Sequence, residues 1–187
     1  MRELIITAFV SVDGVMEAPG GEPGYRNSGW TFQGIEFDPA AYELKGREQE
    51  EAGALLVGRV SYEAFAPVWG GMPEFARYNA LPRYVVSRTL QADDERWPAT
   101  IVRTLDEVAA LKEEDGGPLL VHGSARLGAS LTDAGLVDRY HLLVFPVLLG
   151  AGKRLFSGTS HDMTHLRLEE HEAYGNGVQK QVLRVVR

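Results

Sequence analysis

Apolar runs of strand length alternate with capped, helix-like segments along the 187-residue chain. That alternation predicts an α/β protein built on a mostly parallel sheet. Two further observations define the class. Three of the runs end in Gly, Ser or Arg, two of them where a helix begins, which is how a parallel strand hands over to a crossover helix. The last stretch, Leu166 to Val186, reads as two antiparallel strands about Tyr174-Gly175-Asn176-Gly177, an edge hairpin. With no repeat at a fixed period and no low-complexity linker, residues 1–187 read as a single domain.

The elements follow in order. Leu4 to Val12 is apolar and rich in β-branched residues, as a strand covered on both faces requires, and it stops at the turn pair Asp13-Gly14. Met16 to Phe37 is rich in Gly and Pro, with Tyr25, Trp30 and Phe32 among them; a loop of this length is often a lid or binding loop. Asp38-Pro39 opens a helix as N-cap and first helical residue, running to about Glu51, with Glu48, Glu50 and Glu51 on a solvated face. Ala54 to Val57 is the second strand, followed by a short helix near Ser61 to Ala66 that ends at Pro67. Another helical piece runs from Pro73 to about Ala80. Arg83 to Ser87 and Thr100 to Val102 are strands. Thr104 and Glu107 form a capping box for a helix that ends at Gly116-Gly117. Leu119 to Val121 is a strand leading into a helix over Leu127 to Ala134. Val137 to Val147 is a long strand before the hairpin.

The stretch Leu119-Leu120-Val121-His122-Gly123-Ser124-Ala125-Arg126-Leu127 carries the strongest functional signal. A strand meets Gly-Ser and a helix starts at once, so first-turn N–H donors and the positive end of the helix dipole face whatever lies above the strand end. An anion suits that place, and Arg126 adds a fork of donors. The chain repeats the phrase at Leu56-Val57-Gly58-Arg59-Val60-Ser61, and Tyr84-Val85-Val86 ends in Ser87-Arg88. In open α/β sheets ligands sit beyond the carboxyl ends of the strands. A ligand with phosphates spread along its length, such as a phosphorylated dinucleotide, would engage all three turns.

Composition narrows the classes. A net charge of −7 argues against non-specific nucleic-acid binding. The chain has no cysteine, which excludes disulfides, thiolate metal sites and cysteine nucleophiles and suits a reducing cytosol. The N-terminus runs directly into a strand, without a signal-peptide pattern, and no apolar stretch is long enough to span a membrane. The expectation is a cytoplasmic protein without membrane or nucleic-acid partners. The Rossmann Gly-x-Gly-x-x-Gly is absent, and Gly150-Ala151-Gly152-Lys153-Arg154 lacks the first glycine and the final Ser or Thr of a P-loop. His161 and His165 have helical spacing for a metal but no accompanying Glu in the metalloprotease pattern, so no metal is expected. No Gly-x-Ser-x-Gly elbow is present.

With these residues in place the chain resembles the dihydrofolate-reductase-like superfamily, in particular the reductase domain of riboflavin biosynthesis and its free-standing bacterial relatives. Ala8-Phe9-Val10-Ser11-Val12-Asp13-Gly14 is similar to the first strand and turn beside the nicotinamide. Gly58-Arg59-Val60-Ser61 resembles the segment that holds the cofactor's adenosine phosphates, and Val86-Ser87-Arg88 the strand end that recognises the 2′-phosphate. Gly123-Ser124-Ala125-Arg126-Leu127 resembles the glycine-rich pyrophosphate turn. The resemblance implies a three-layer α/β/α fold, NADPH as cofactor, and a pyrimidine- or pterin-like substrate reduced at a C=N or C=O, as in a 5-amino-6-(5-phosphoribosylamino)uracil reductase or a dihydrofolate reductase. It also implies a homodimer, for which the Val137–Val147 strand offers a surface. On this reading Asp13, Trp30 and His122 face the substrate under the aromatic loop. The chain departs from the riboflavin-pathway pattern at His122-Gly123-Ser124, where Glu-Gly-Gly is usual. Glu36 and Asp38 are the acids near the first helix start, and Asp38 is the candidate to assist protonation. A non-catalytic nucleotide binder and a flavin-using reductase holding FMN are the alternative readings.

Overall fold

The computed structural model describes residues 1–91, 94, 95, 97–156 and 163–187. Its strands are β1 (Leu4–Ser11), β2 (Ala54–Gly58), β3 (Arg83–Val86), β4 (Thr100–Val102), β5 (Leu119–His122), β6 (Arg139–Phe145), β7 (Leu166–Ala173) and β8 (Gln179–Val185). The helices are α1 (Glu43–Glu51), α2 (Arg59–Trp69), α3 (Ala76–Ala80), α4 (Leu105–Glu113) and α5 (Ala125–Asp133), with 3₁₀ turns at Pro39–Tyr42 and Pro73–Phe75. All the strands lie in one sheet, ordered β4-β3-β2-β5-β1-β6-β8-β7. The first six run parallel; β8 is antiparallel to β6, and β7 to β8.

Alternation along β1 sorts the core into two layers. Leu4, Ile6, Ala8 and Val10 pack on one face with Val108 of α4 and Leu127 and Leu131 of α5. Ile5 faces the other way, into a cluster with Tyr62 and Phe65 of α2 and Tyr78 of α3. Farther along that second face, Ala41 and Leu44 cover Leu143 and Phe145 of β6. Helices on both faces explain why the central strands read as unbroken apolar runs.

Element ends depart from the sequence reading in small, explicable ways. The first helix opens as a 3₁₀ turn whose N-cap Asp38 accepts from Ala40 N at 3.0 Å. The second helix runs through Pro67 to Trp69, because a proline this near the C-terminus removes only one late hydrogen bond. α4 stops at Glu113, short of Gly116-Gly117. The capping box forms, with Thr104 Oγ1 accepting from Glu107 N at 3.2 Å, while Glu107 reaches Arg103 N at 3.2 Å.

The expected dimer surface on the Val137–Val147 strand is corrected. β6 is an interior strand between β1 and β8, and Tyr140, His141, Leu142, Leu143 and Phe145 are buried. The outer strand, β7, is mostly exposed and laced with charge pairs, Arg47 with Glu170 at 3.0 Å and Lys180 with Glu172 at 3.0 Å among them. Charges along an edge discourage it from pairing with a further strand.

Gly117 closes the sheet's lower end rather than a helix. A Cβ on Gly53 would lie 2.5 Å from Gly117 O, and one on Gly117 2.6 Å from Glu51 O. These are backbone atoms that cannot swing aside. Gly53→Ala should therefore destabilise the protein by about 1–3 kcal/mol or more, the range for overpacking, while Gly175→Ala, at a glycine with open space around it, should change stability little. Urea unfolding of the two variants beside the parent checks this; equal midpoints would show that the glycine contact is dispensable.

Candidate functional site

β3, β2, β5 and β1 are consecutive in the sheet, so the turns after them stand side by side along one edge. The ends of β2 and β5 are also locked together. Ser124 Oγ accepts from Gly58 N at 2.9 Å and donates to His122 O at 3.0 Å, and Ser61 Oγ accepts from Ser124 N at 3.0 Å. Gly123 has φ of 57°, and a Cβ there would sit 3.2 Å from Ser61 Oγ and 3.4 Å from Phe65 Cζ. The chain thus runs bare of side chain at the start of α5, leaving a close approach to the first-turn N–H groups of Ala125, Arg126 and Leu127. Arg88 and Arg126 are exposed at this edge. A glycine cradle, a helix N-terminus and arginines at neighbouring strand ends fit a pyrophosphate-linked nucleotide.

The other residues read from the sequence divide. Ser87 Oγ accepts from Leu90 N at 2.9 Å and shapes the turn that displays Arg88, with Arg103 donating to Ser87 O at 2.8 Å. Arg59 is paired with Glu63 at 2.9 Å on the exposed side of α2, so an incoming phosphate must draw it from that carboxylate. Asp13 organises backbone: it accepts from Ser11 Oγ at 2.7 Å, Leu149 N at 3.1 Å and Gly150 N at 2.8 Å. The Ser11 bond foremost, with the two amides, holds its pKa down at about 2. Asp38 is occupied as a cap. Trp30 does not cover a substrate. It is 2% exposed, its ring meets Phe145 edge-on at 5.4 Å, and its Nε1 donates to Glu17 O at 2.8 Å. The loop folds inward because that indole completes the apolar layer over β6. Tyr25 is likewise tied down, donating to Ala151 O at 2.6 Å, whereas Phe32 is exposed.

His122 is the last residue of β5, directly before the Gly123 turn. Its Nε2 is 3.1 Å from Tyr78 Oη, and its ring meets Trp69 and Tyr78 edge-on at 5.3 and 5.2 Å. Burial pushes its pKa down to about 4, more than Glu48 can raise it, so the imidazole is neutral at pH 7. Trp69 stacks on Phe65 and Phe75 at 4.3 Å each, an aromatic wall beside the histidine.

Behind His122 lies a polar cluster that the sequence reading did not identify. Thr7 is the register partner of His122 on β5 and of His141 on β6, so the three share one face. Glu48 of α1 is 3% exposed; Thr7 Oγ1 donates to its Oε1 at 2.8 Å and His141 Nδ1 to the same oxygen at 2.9 Å. Lys45 Nζ donates to Thr7 Oγ1 and lies 3.3 Å from Glu48 Oε2. Burial pushes the carboxyl pKa up, but the Lys45 charge and the His141 bond outweigh it and hold it at about 2. Burial lowers the Lys45 pKa against the same pairing. From the sequence Glu48 reads as part of a solvated face with Glu50 and Glu51, but α1 turns it inward. The signal that would have found it is periodicity: Ala41, Leu44, Glu48 and Ala52, at helical spacing, are all buried. Among the described residues no group of three or more His, Asp or Glu is placed to hold a metal; His161 lies outside the described residues.

Comparisons with known proteins agree with this architecture. A model of the RibD C-terminal domain matches residues 2–180. The uncharacterized protein YyaP of Bacillus subtilis is 27% identical over 188 residues, covering 95% of this chain and 92% of that protein. Among solved structures, a putative riboflavin biosynthesis protein from Shewanella sp. PV-4 superposes with a TM-score of 0.80 at 18% identity, covering 99% of each chain. Dihydrofolate reductase from Enterococcus faecalis, complexed with NADP(H) and RAB-propyl, gives 0.66 at 13% identity, covering 99% of this chain and 97% of that one. The fold is dihydrofolate-reductase-like.

The buried carboxylate makes stability depend on pH. Its folded pKa of about 2 lies below the ordinary 4.5, so its contribution is complete above about pH 4.5 and is lost as pH falls toward 2. Lys45, His141, His122, Thr7 and Tyr78 face it. Glu48→Gln should lose on the order of 2–3 kcal/mol at pH 7, and its difference from the parent should shrink as acid protonates the parent's carboxyl. Urea unfolding at pH 7, 4 and 3 reads this; a difference that stays constant with pH would show that Glu48 titrates normally.

Proposed function

Because the chain belongs to the RibD C-terminal domain family, we propose that it is an NADPH-dependent reductase of small flat heterocycles, of the pyrimidine or pterin kind met in riboflavin- and folate-type chemistry. The observation that carries the reading is the convergence of three strand ends on one edge, two of them locked through Ser124. The solved dihydrofolate reductase with this fold is complexed with NADP(H), which supports the same cofactor here. Arg88, joined by Arg59 once released from Glu63, holds the adenosine phosphate; the N–H groups from Ala125 to Leu127 hold the pyrophosphate. A nicotinamide, when bound, supplies a hydride. This chain's residues do the rest. The Phe65-Trp69-Phe75 stack lays a flat ring against His122, and the buried second face excludes water from beneath it. A neutral His122 hydrogen-bonds without adding charge. A cytoplasmic setting suits a chain with no cysteine, and homodimerisation uses a surface other than β6.

NADPH and NADH titrations followed by protein fluorescence test the assignment. Arg88→Ala should weaken NADPH binding roughly 10- to 100-fold, the worth of a hydrogen bond to a charged group, and leave NADH within about twofold. Glu63→Gln, which frees Arg59, should tighten NADPH a few-fold by the same reasoning. If the parent binds neither nucleotide, or if Arg59→Ala and Arg88→Ala both leave the NADPH-to-NADH ratio unchanged, the phosphate site is misassigned. A yellow protein that holds FMN instead would favour a flavin-using reductase.

A further inference from the structure

We infer that the uncharged face of the β7–β8 hairpin is where a second copy of this chain docks, hairpin on hairpin about a two-fold axis. The inference does not rest on the reductase reading, and its failure would leave that reading standing.

Register sorts the side chains of the hairpin by charge. Val182 and Lys180 of β8 stand opposite His141 and Leu143 of β6, on the face toward α1, and opposite Glu170 and Glu172 of β7. Arg184, the partner of both Arg139 and Arg167, lies on that face as well. So does Glu169 at the bulge, 2.6 Å from Arg184, 3.1 Å from Arg167 and 3.2 Å from Arg139. All the Glu, Lys and Arg residues of the two strands therefore share the side of the sheet from which Arg47 of α1 reaches Glu170 at 3.0 Å. The opposite side carries Leu166 and Leu168 of β7 beside Val185 and Leu183 of β8, and otherwise only alanine, glutamine and one histidine.

That pattern is inverted for a monomer. In an antiparallel sheet covered on one side, the apolar face meets the core and the charged face meets water. Here the helix lies toward the charged side, and the apolar side stays open: Leu166 is 38% and Leu168 49% exposed. Phe156, edge-on at 5.3 Å to Tyr140, the register partner of Leu183, is 50% exposed. Charge decides the occupant. The chain carries a net −7, so two copies repel over most of their surface, and a face without charge lets them meet with no like charges opposed. The same face has no cation to hold a nucleic acid or an anionic membrane. A sheet face also stacks readily on its own copy, about 10 Å apart with strands within about 30°, and a two-fold contact requires only that one patch match itself. The charge pairs along β7 block edge-to-edge pairing, which leaves the face as the way for the hairpins to meet.

Sedimentation velocity of the full-length protein, from low micromolar to submillimolar concentration, tests this. The parent should be a dimer. Leu168→Glu should weaken it about a hundredfold or more, because the two-fold buries the new charge twice. Val68→Glu, at a position 52% exposed on α2, should leave it intact. Because the chain has no cysteine, Leu168→Cys supplies a unique thiol, which should be shielded from maleimide at high protein concentration and become reactive on dilution. The thiol of Val68→Cys should react at one rate throughout. Circular dichroism checks that each variant is folded; should Leu168→Glu unfold, Leu166→Glu and the thiol rates decide. A parent that stays monomeric over the whole range, whether or not it binds phosphatidylcholine vesicles instead, overturns the proposal. So does a dimer that tolerates both glutamates, or one in which the Leu168→Cys thiol reacts at a rate independent of concentration.

Discussion

Ser124 adopts a left-handed backbone, φ 63° and ψ 49°, at a non-glycine position. That conformation is disfavoured for an L-residue, and two hydrogen bonds to the neighbouring turn between β2 and α2 offset it. The hydroxyl accepts from Gly58 N while the amide donates to Ser61 Oγ. One residue therefore ties the end of β5 to the end of β2 and the start of α2. The remaining edge geometry follows from this tie. Gly123 must be bare to let Ser61 and Phe65 approach, α5 starts at Ala125 with its donors directed outward, and the neighbouring β3 turn brings Arg88 alongside. An anion cradle built from backbone depends on such a lock more than on any one charged side chain, because its donors cannot reorient.

A second constraint operates beneath the cradle. Burying a carboxylate and an ammonium between apolar layers is unfavourable unless their hydrogen bonds are satisfied. The sheet supplies the partners in register: Thr7 and His141 on adjacent strands meet Glu48, and α1 brings Lys45 one turn earlier on the same helix face. The result separates two apolar clusters, one around Tyr62 and Trp97 and the other around Trp30 and Phe145, with a polar seam between them. The locked turn at the edge and the polar seam behind it thus share β5, whose last residue, His122, is the register partner of Thr7.

The Gly- and Pro-rich loop after β1 shows how composition alone misdirects. Tyr25, Trp30 and Phe32 have the residue types of a lid, yet two of the three are spent on anchoring: the Trp30 indole on Phe145 and the Tyr25 hydroxyl on Ala151. The aromatic surface that does lie against His122, Phe65-Trp69-Phe75, comes from α2 and the 3₁₀ turn that follows. Those residues are scattered over eleven positions and meet only because Pro73 turns the chain back.

Strand and helix order, the parallel sheet with its terminal hairpin, and the Gly-Ser-Arg signature of the strand ends were legible in the sequence. They arise from local chemistry: alternation, caps, and glycine where a chain must turn. The family resemblance was legible for the same reason, since those turns lie in its motifs. Two properties belonged to the tertiary structure. Whether Arg59 is free or paired, and whether Trp30 faces ligand or core, depends on which surfaces the layers bring together. The Thr7-Lys45-Glu48-His141 seam draws on β1, α1 and β6, whose side chains are separated by up to 134 positions between Thr7 and His141. A buried ion pair is recognisable only once its partners are known, because an isolated glutamate on a helix carries no mark that distinguishes a solvated charge from one held by three neighbours.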